Sequence, residues 1–540
     1  MLGLLAVALA SAAGAQGEVC EAPREVDRYQ LLRRLSLDLR GQVPTYEEYL
    51  ALDGAADVPA NTIRSMIASE DFKREMRRYH ESFLWPNVSN VTISDNTYQI
   101  AERNGVAWAR PNTTWGRIQR NMNTQINGQL PPYQYCGDYQ QTAFDPAYPG
   151  EFRPVVQPNA EGFRIEGWRM VEPYWAPGTQ IKVCAYEAQQ TLYPDPPDVR
   201  TTIDGKANQR RMCSDRSGAN QMACGCGPNL RWCSPGGNNM DNKVKAAYRE
   251  QFGRAIDDVT SGRGPYTDLL LSKKAWENGP ISWYSKQFGA VTAPNVIYNA
   301  PDRLDAPTRD FSDENWIEVT RGGVHAGILT LPAYLLRFQT QRGRANRMLE
   351  AFACEPYVAP ADLIPRPGCS TNSADLTNRC FCQSCHSSLE PIANAWGLFT
   401  ESGSTMLTDS SRFPIENELC AGAARGSTFC RRLYVTDQQS PAKGKALAYE
   451  FALAHPDYPE IIQAGPARAA QKLIDSGTVA RCTVRRLFTR LMRRDVLYEG
   501  SNAPERELLD QLAKEFEASN YDYPALVERL VTLPEYRRVR

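Results

Sequence analysis

The sequence predicts a mainly α protein made of several helical modules, interrupted by a loop-rich, disulfide-stapled insertion with short strands. Three observations predict it. Apolar residues recur at helical spacing near both ends, as in residues 29–39 and 479–494. Between residues 86 and 242 that periodicity gives way to clusters of Pro, Gly, Asn and aromatic residues, such as Pro131-Pro132-Tyr133-Gln134-Tyr135-Cys136. The third is the cysteine usage: 15 Cys in 540 residues suits a compartment where disulfides persist.

The elements follow in order. Residues 2–13 are apolar or small and lead into Ala13-Gly14-Ala15, which reads as a cleavage site, so 1–15 is expected to be a secretory signal. The run lacks the basic residue normally ahead of it, so the natural start lies upstream or the signal is atypical. It is too short to span a bilayer, and no later segment reaches the roughly 18–20 apolar residues a transmembrane helix needs. Cys20 lies in a poor lipoprotein context and is the expected odd thiol. Residues 16–85 form the first helical module. A helix over 29–39 stops at Gly41, another opens at Thr45 with Glu48 completing a capping box, and a third runs from Ser69 through His80 to Leu84. His80, among Arg77, Arg78 and Glu81, reads as a surface or interhelix residue rather than a ligand.

The insertion, 86–242, holds Cys136, Cys184, Cys213, Cys224, Cys226 and Cys233 and a short strand near 180–186. With no His nearby, its cysteines are expected in disulfides rather than on zinc. Residues 243–353 return to helix, with an amphipathic stretch at 244–256, a shorter piece at 265–273 and one long helix at 333–352 carrying Arg337, Arg342, Arg344 and Arg347. Residues 354–435 and 436–540 complete the chain, the latter with helices at 479–494 and 505–519 separated by Gly500 and Pro504. Basic and acidic residues balance, 61 against 62, which removes any case for nucleic acid as a partner. No Ser-His-Asp order, phosphate-cradling glycine loop or paired carboxylate motif supports a hydrolase.

The chemistry concentrates at Cys382-Gln383-Ser384-Cys385-His386. C-x-x-C-H is the spacing that attaches a c-type haem: the two thiols form thioethers to the two vinyl groups, and the imidazole becomes an axial ligand. The segment 354–435 is therefore expected to be a cytochrome c-like haem module with one covalent haem c on Cys382 and Cys385, ligated by His386. Other readings of these residues are a thioredoxin-like pair, which wants a βαβ setting that the polar stretch 370–379 does not offer, and a zinc site on Cys380, Cys382, Cys385 and His386, packed into too few residues. Ordinary disulfides are a further reading, with Cys380 expected to pair with a distant cysteine. The arginines of 333–352 could face haem propionates or simply be a solvated helix face. Trp396 and Phe399, beyond an expected helix at 389–399, could pack on the macrocycle or fill the core.

Several stretches together resemble the planctomycete-type cytochrome c proteins, exported proteins built mostly of helical modules. Leu32-Arg33-Arg34-Leu35-Ser36-Leu37-Asp38-Leu39-Arg40-Gly41-Gln42-Val43-Pro44-Thr45 is similar to their opening module. Arg321-Gly322-Gly323-Val324-His325-Ala326-Gly327-Ile328-Leu329-Thr330, Arg342-Gly343-Arg344-Ala345-Asn346-Arg347 and Phe352-Ala353-Cys354 resemble the module ahead of their haem motif. Cys382 to His386 with Leu389-Glu390-Pro391 resembles the haem-binding part. Arg481-Cys482-Thr483-Val484-Arg485-Arg486-Leu487-Phe488 and Val531-Thr532-Leu533-Pro534-Glu535-Tyr536-Arg537 resemble the C-terminal module. The resemblance skips 86–242. It implies an exported, haem-bearing, electron-transferring protein.

For the second axial position the candidates are His325, Met406 and, more weakly, His455, and an open sixth position is the remaining choice. Axial Met or His gives an electron carrier, whereas an open face permits peroxide or oxygen chemistry. The leading expectation is an exported electron-transfer protein that works with an unidentified redox partner protein. It would sit in the periplasm, at the cell surface or in the medium, with peripheral attachment at the outer membrane as a variant. The alternatives are a haem peroxidase or oxidase with an open distal face, and an extracellular binding protein without a redox role.

Overall fold

The computed structural model describes residues 24–88, 99–103, 105–110, 136–142, 157–158, 164–165, 167–188, 192–193, 211–212, 225–235, 239–291, 309–356, 364–365, 367–371, 379–399, 458–496 and 503–539. Residues 1–23, including the expected signal and Cys20, lie outside them, as do Cys213, Cys224, Met406 and His455.

The first helix, α1 (Arg28–Arg40), begins where Asp27 accepts hydrogen bonds from the backbone of Tyr29 and Gln30 and ends at Gly41, whose φ of 71° favours glycine. It buries Leu31, Leu32, Leu35 and Leu39 on one face. Next, α2 (Tyr46–Leu50) opens with the expected capping box of Thr45 and Glu48. After α3 (Ala60–Ile67), α4 (Glu70–Leu84) is capped by Ser69 and buries Phe72, Met76, His80 and Leu84, one residue per turn. His80 is thus an interhelix residue, not a surface one.

The insertion folds around a five-stranded sheet. In chain order its strands are β2 (Gln99–Arg103), β3 (Ala107–Ala109), β4 (Trp168–Val171), β5 (Ile181–Cys184) and β6 (Ser234–Pro235), which lie side by side as β6-β2-β3-β5-β4. Disulfides Cys136–Cys184 and Cys226–Cys233 staple it, as expected of a region with little helical packing. Buried Glu187 accepts a hydrogen bond from Arg110 at 2.7 Å, tying the loop after β5 to the end of β3.

Helices then dominate. Central α5 (Asn239–Thr260) packs on α4, with Arg77 bridging Glu250 and Asp257. Short α6 (Asp268–Leu271) and α7 (Gly279–Val291) flank a two-stranded ribbon of β7 (Lys274–Glu277) and β8 (Ile317–Thr320). The single helix expected over 333–352 is instead two, α8 (Pro332–Arg337) and α9 (Gln341–Phe352). The break has a local cause: Thr340 is extended and its hydroxyl caps α9 by accepting from the Gly343 N–H at 3.0 Å. The fully buried Arg344 guanidinium then donates to the Leu335 and Phe338 carbonyls left over at the end of α8. Likewise, the helix expected over 389–399 starts earlier, as α10 (Gln383–Ala393), and tightens into a 3-10 turn at Asn394–Trp396. The C-terminal part comprises α11 (Tyr458–Ala464), α12 (Pro466–Asp475), α13 (Thr478–Met492), α14 (Ala503–Ala518), α15 (Tyr523–Val531) and α16 (Pro534–Arg537).

All these helices contribute to one apolar core, which runs from Leu31 through Trp396 to Tyr536. The first and last described segments meet. Strand β1 (Arg24–Glu25) pairs antiparallel with β9 (Arg538–Val539), and Asp38 of α1 accepts from Tyr536 at 2.8 Å and Arg493 at 2.7 Å. Cys354, just past α9, is bonded to Cys482 of α13. No helix among the described residues is long and apolar enough to cross a membrane.

The burial of His80 makes stability depend on pH. Nδ1 donates to the Met76 carbonyl at 2.7 Å, which leaves Nε2 to accept from the Tyr266 hydroxyl at 3.1 Å. Burial, above all, pushes the ring down from 6.5 to about 4. Below pH 6.5 the unfolded chain therefore binds a proton that the native ring refuses. Stability is complete above that pH and falls by about 3 kcal/mol as pH drops towards 4. Urea unfolding of wild type and His80→Gln at pH 7 and pH 4.5 should show the wild-type advantage shrinking by most of that amount. An advantage that does not change with pH would rule the account out.

Candidate functional site

The sequence around residue 382 builds a short, tied-down helix entrance. Cys369 and Cys380 form a disulfide across 11 residues, reinforced by the Cys380 N–H donating to the Ser370 carbonyl at 3.2 Å. Cys380 therefore pairs with a near neighbour, not the distant cysteine expected, because the chain turns back on itself directly ahead of the motif. The same bond takes Cys380 out of any zinc set with Cys382, Cys385 and His386. Among the described residues no group of three or more His, Cys, Asp or Glu is arranged to hold a metal ion.

Phe381 then takes a left-handed turn, φ 68°, with its ring half exposed. Cys382 sits at the N-cap of α10, and its carbonyl accepts from the Cys385 and His386 backbone at 3.2 and 3.1 Å. Spacings of three and four along a helix place Cys382, Cys385 and His386 on one face of its first turn. Cys382 and Cys385 carry thiols, whereas the other described cysteines form the four disulfides. Both are half-buried, as is His386.

One turn further on, Glu390 is 1 % exposed, and its Oε1 meets His386 Nδ1 at 2.5 Å. The same oxygen is held by Arg342 Nε from α9. A carboxylate acceptor places the ring proton on Nδ1 and leaves Nε2 with its lone pair, the state in which an imidazole ligates a metal. The sequence places Glu390 in the stretch resembling a haem-binding part but assigns it no role. The signal was a Glu four residues after the motif's His on the same helix.

Of the four arginines expected near the motif, Arg342 reaches α10 through Glu390. Arg344 serves the break between α8 and α9, and Arg347 donates to the Phe83 carbonyl at 3.0 Å with its guanidinium 3.7 Å from the Trp85 ring centre. Arg337 is exposed beside that same tryptophan. Trp396 is fully buried, donates from Nε1 to the Leu329 carbonyl at 3.0 Å and stacks on Tyr334. It anchors the end of α10 to the segment that carries His325.

His325 is buried and its ring packs edge-on against Phe399, centres 6.0 Å apart. Arg321 donates to its Nδ1 and to the Thr330 carbonyl. In the neutral ring that puts the proton on Nε2. Met406 and His455, the other two candidates for a second ligand, lie outside the described residues.

The residues present fit a covalently attached haem c. Two thiols and an imidazole with a bare Nε2 share one face of the first turn of α10, the donor set that such a group needs. Comparison with protein-family models, with curated proteins and with solved structures gives no match, so the site is read from its own geometry.

Proposed function

We propose that this is an exported protein carrying one haem c, covalently held by Cys382 and Cys385 with His386 as axial ligand, that passes single electrons to or from a protein partner. The observation that carries the reading is His386, fixed by Glu390 with Nε2 bare, on the same helical turn as two thiols in a chain otherwise stapled by disulfides. When bound, such a haem supplies a one-electron Fe(III)/Fe(II) couple. The chain's residues do the rest. Cys382 and Cys385 would hold the haem through thioethers, each S–H adding across one vinyl group with its hydrogen going to the neighbouring vinyl carbon, so that no atom would be lost. The Cys369–Cys380 bond keeps a third sulfur from competing, and Glu390 holds the imidazole in the ligating tautomer.

The disulfides and the absence of an apolar spanning helix among the described residues agree with export. A second reading, catalysis at an open distal face, is favoured by Arg321, whose hydrogen bond to His325 Nδ1 sets that ring's proton on Nε2. Cyanide or carbon monoxide binding at micromolar concentration would select it.

The test is a pyridine haemochrome spectrum after acid–acetone extraction, on protein produced with a cytochrome c maturation system. A c-type spectrum is expected to survive extraction. The C382S/C385S double variant should retain none of it, while keeping the helical circular dichroism of the wild type. Wild-type protein that loses all haem on extraction, with Cys382 and Cys385 bonded to each other, would end the proposal.

A further inference from the structure

We infer that Glu390 is a positioning residue that sets the donor strength of His386 and so holds the site at a low reduction potential; the inference rests on the haem reading above. A ligating imidazole commonly donates its second N–H to a carboxylate, a backbone carbonyl or water, and the choice of acceptor tunes the ligand's basicity. Here the acceptor carries a full negative charge. Its Oε1 lies within hydrogen-bond reach of Nδ1, and bonds to a charged acceptor are stronger than those between neutral groups. At 1 % exposure Glu390 is shielded from water, so the interaction is not screened away.

Nor can the carboxylate swing aside. It lies four residues from His386 on one helix, and Arg342 of α9 grips the same Oε1 from the other side. A carboxylate drawing on the Nδ1 proton gives the ring imidazolate character. Such a ring donates more strongly through Nε2 and favours Fe(III) over Fe(II), since second-shell hydrogen bonding is one of the levers on haem potential. In its ferrous form the protein would then be a willing electron donor, and whatever reduces it must itself be a low-potential protein.

A purely structural role is the competing account, because Glu390 also ties α10 to α9 through Arg342. The measurement that separates them is the midpoint potential by spectroelectrochemistry, at fixed pH and ionic strength, of wild type, Glu390→Gln, Glu390→Asp and Arg342→Gln. Glu390→Gln keeps the shape but not the charge, and should raise the ferrous-to-ferric ratio at a given ambient potential at least about tenfold, which is about 59 mV for one electron. Glu390→Asp withdraws the carboxylate by one methylene and should move the ratio the same way by a smaller factor. It decides the matter if the Gln variant does not fold. Arg342→Gln breaks the tie to α9 but leaves the carboxylate on His386, so stability should fall while the potential stays or drops. Unchanged potentials in the folded, haem-bearing Glu390 variants would overturn the inference, as would an equal rise in Arg342→Gln. Failure of the haem reading is a different outcome, visible beforehand as wild-type protein without covalent haem.

Discussion

Removing the Cys354–Cys482 disulfide, as in C354A/C482A, should cost the fold about 2–5 kcal/mol. The bond closes a loop of 128 residues, and in the chain-entropy account a loop of that size restricts the unfolded state by about 5 kcal/mol, the upper end of what one disulfide provides. The weak contacts beside it do not replace it. Arg486 of α13 donates to the Glu350 carbonyl at the end of α9, and a hydrogen bond of that kind contributes about 1–3 kcal/mol. Urea unfolding followed by circular dichroism, with the other disulfides intact, would show the midpoint falling well below that of the wild type. Equal midpoints would mean that the two cysteines are not bonded in the folded protein.

Trp396→Ala should destabilise by about 3–5 kcal/mol, through a cavity in the shared core. The indole is fully buried, stacks on Tyr334 with ring centres 6.3 Å apart, and its Nε1 satisfies the Leu329 carbonyl. Alanine would leave both an empty volume and an orphaned acceptor. Trp396→Phe separates the two, since it fills most of the space and loses only the hydrogen bond, for about 1–3 kcal/mol. Because the backbone carbonyl of Trp396 also accepts from Gln341 at 2.9 Å, the loss should spread to the packing of α10 on α9. A Trp396→Ala protein as stable as wild type would show that this residue does not anchor the helix carrying the thiols.

What was legible in the sequence was local. Thr45 with Glu48, Ser69 and Gly41 each act within one turn of the chain, and each was found where the residues put it. The strand within 180–186 and the return of helix at 244–256 were legible for the same reason, as were the spacings inside the motif. The losses came where a distant or unusual partner decided the outcome. The break at 338–340 depends on a buried arginine feeding the carbonyls of an earlier helix, a role that looks like an ordinary solvated residue in sequence. Cys380 could have paired with any of several cysteines, and only the fold of the loop selects Cys369. Glu390 was visible as a letter, but its meaning depends on burial and on Arg342, which come from packing α9 against α10.

The meeting of the first and last described segments has a consequence in time. Asp38 finds Tyr536 across 498 residues and Arg493 across 455, so α1 packs on α3 and α4 early but gains these polar ties only when the C-terminal helices are present. Contacts of such long sequence separation make for slow, late closure. A chain delivered from its N-terminus exposes residues 382–386 before α13 arrives to complete the core and before Cys482 can reach Cys354. Between the making of these thiols and the arrival of α13, Cys354 has no native partner, so a wrong bond formed in that interval must be undone before Cys482 can take its place.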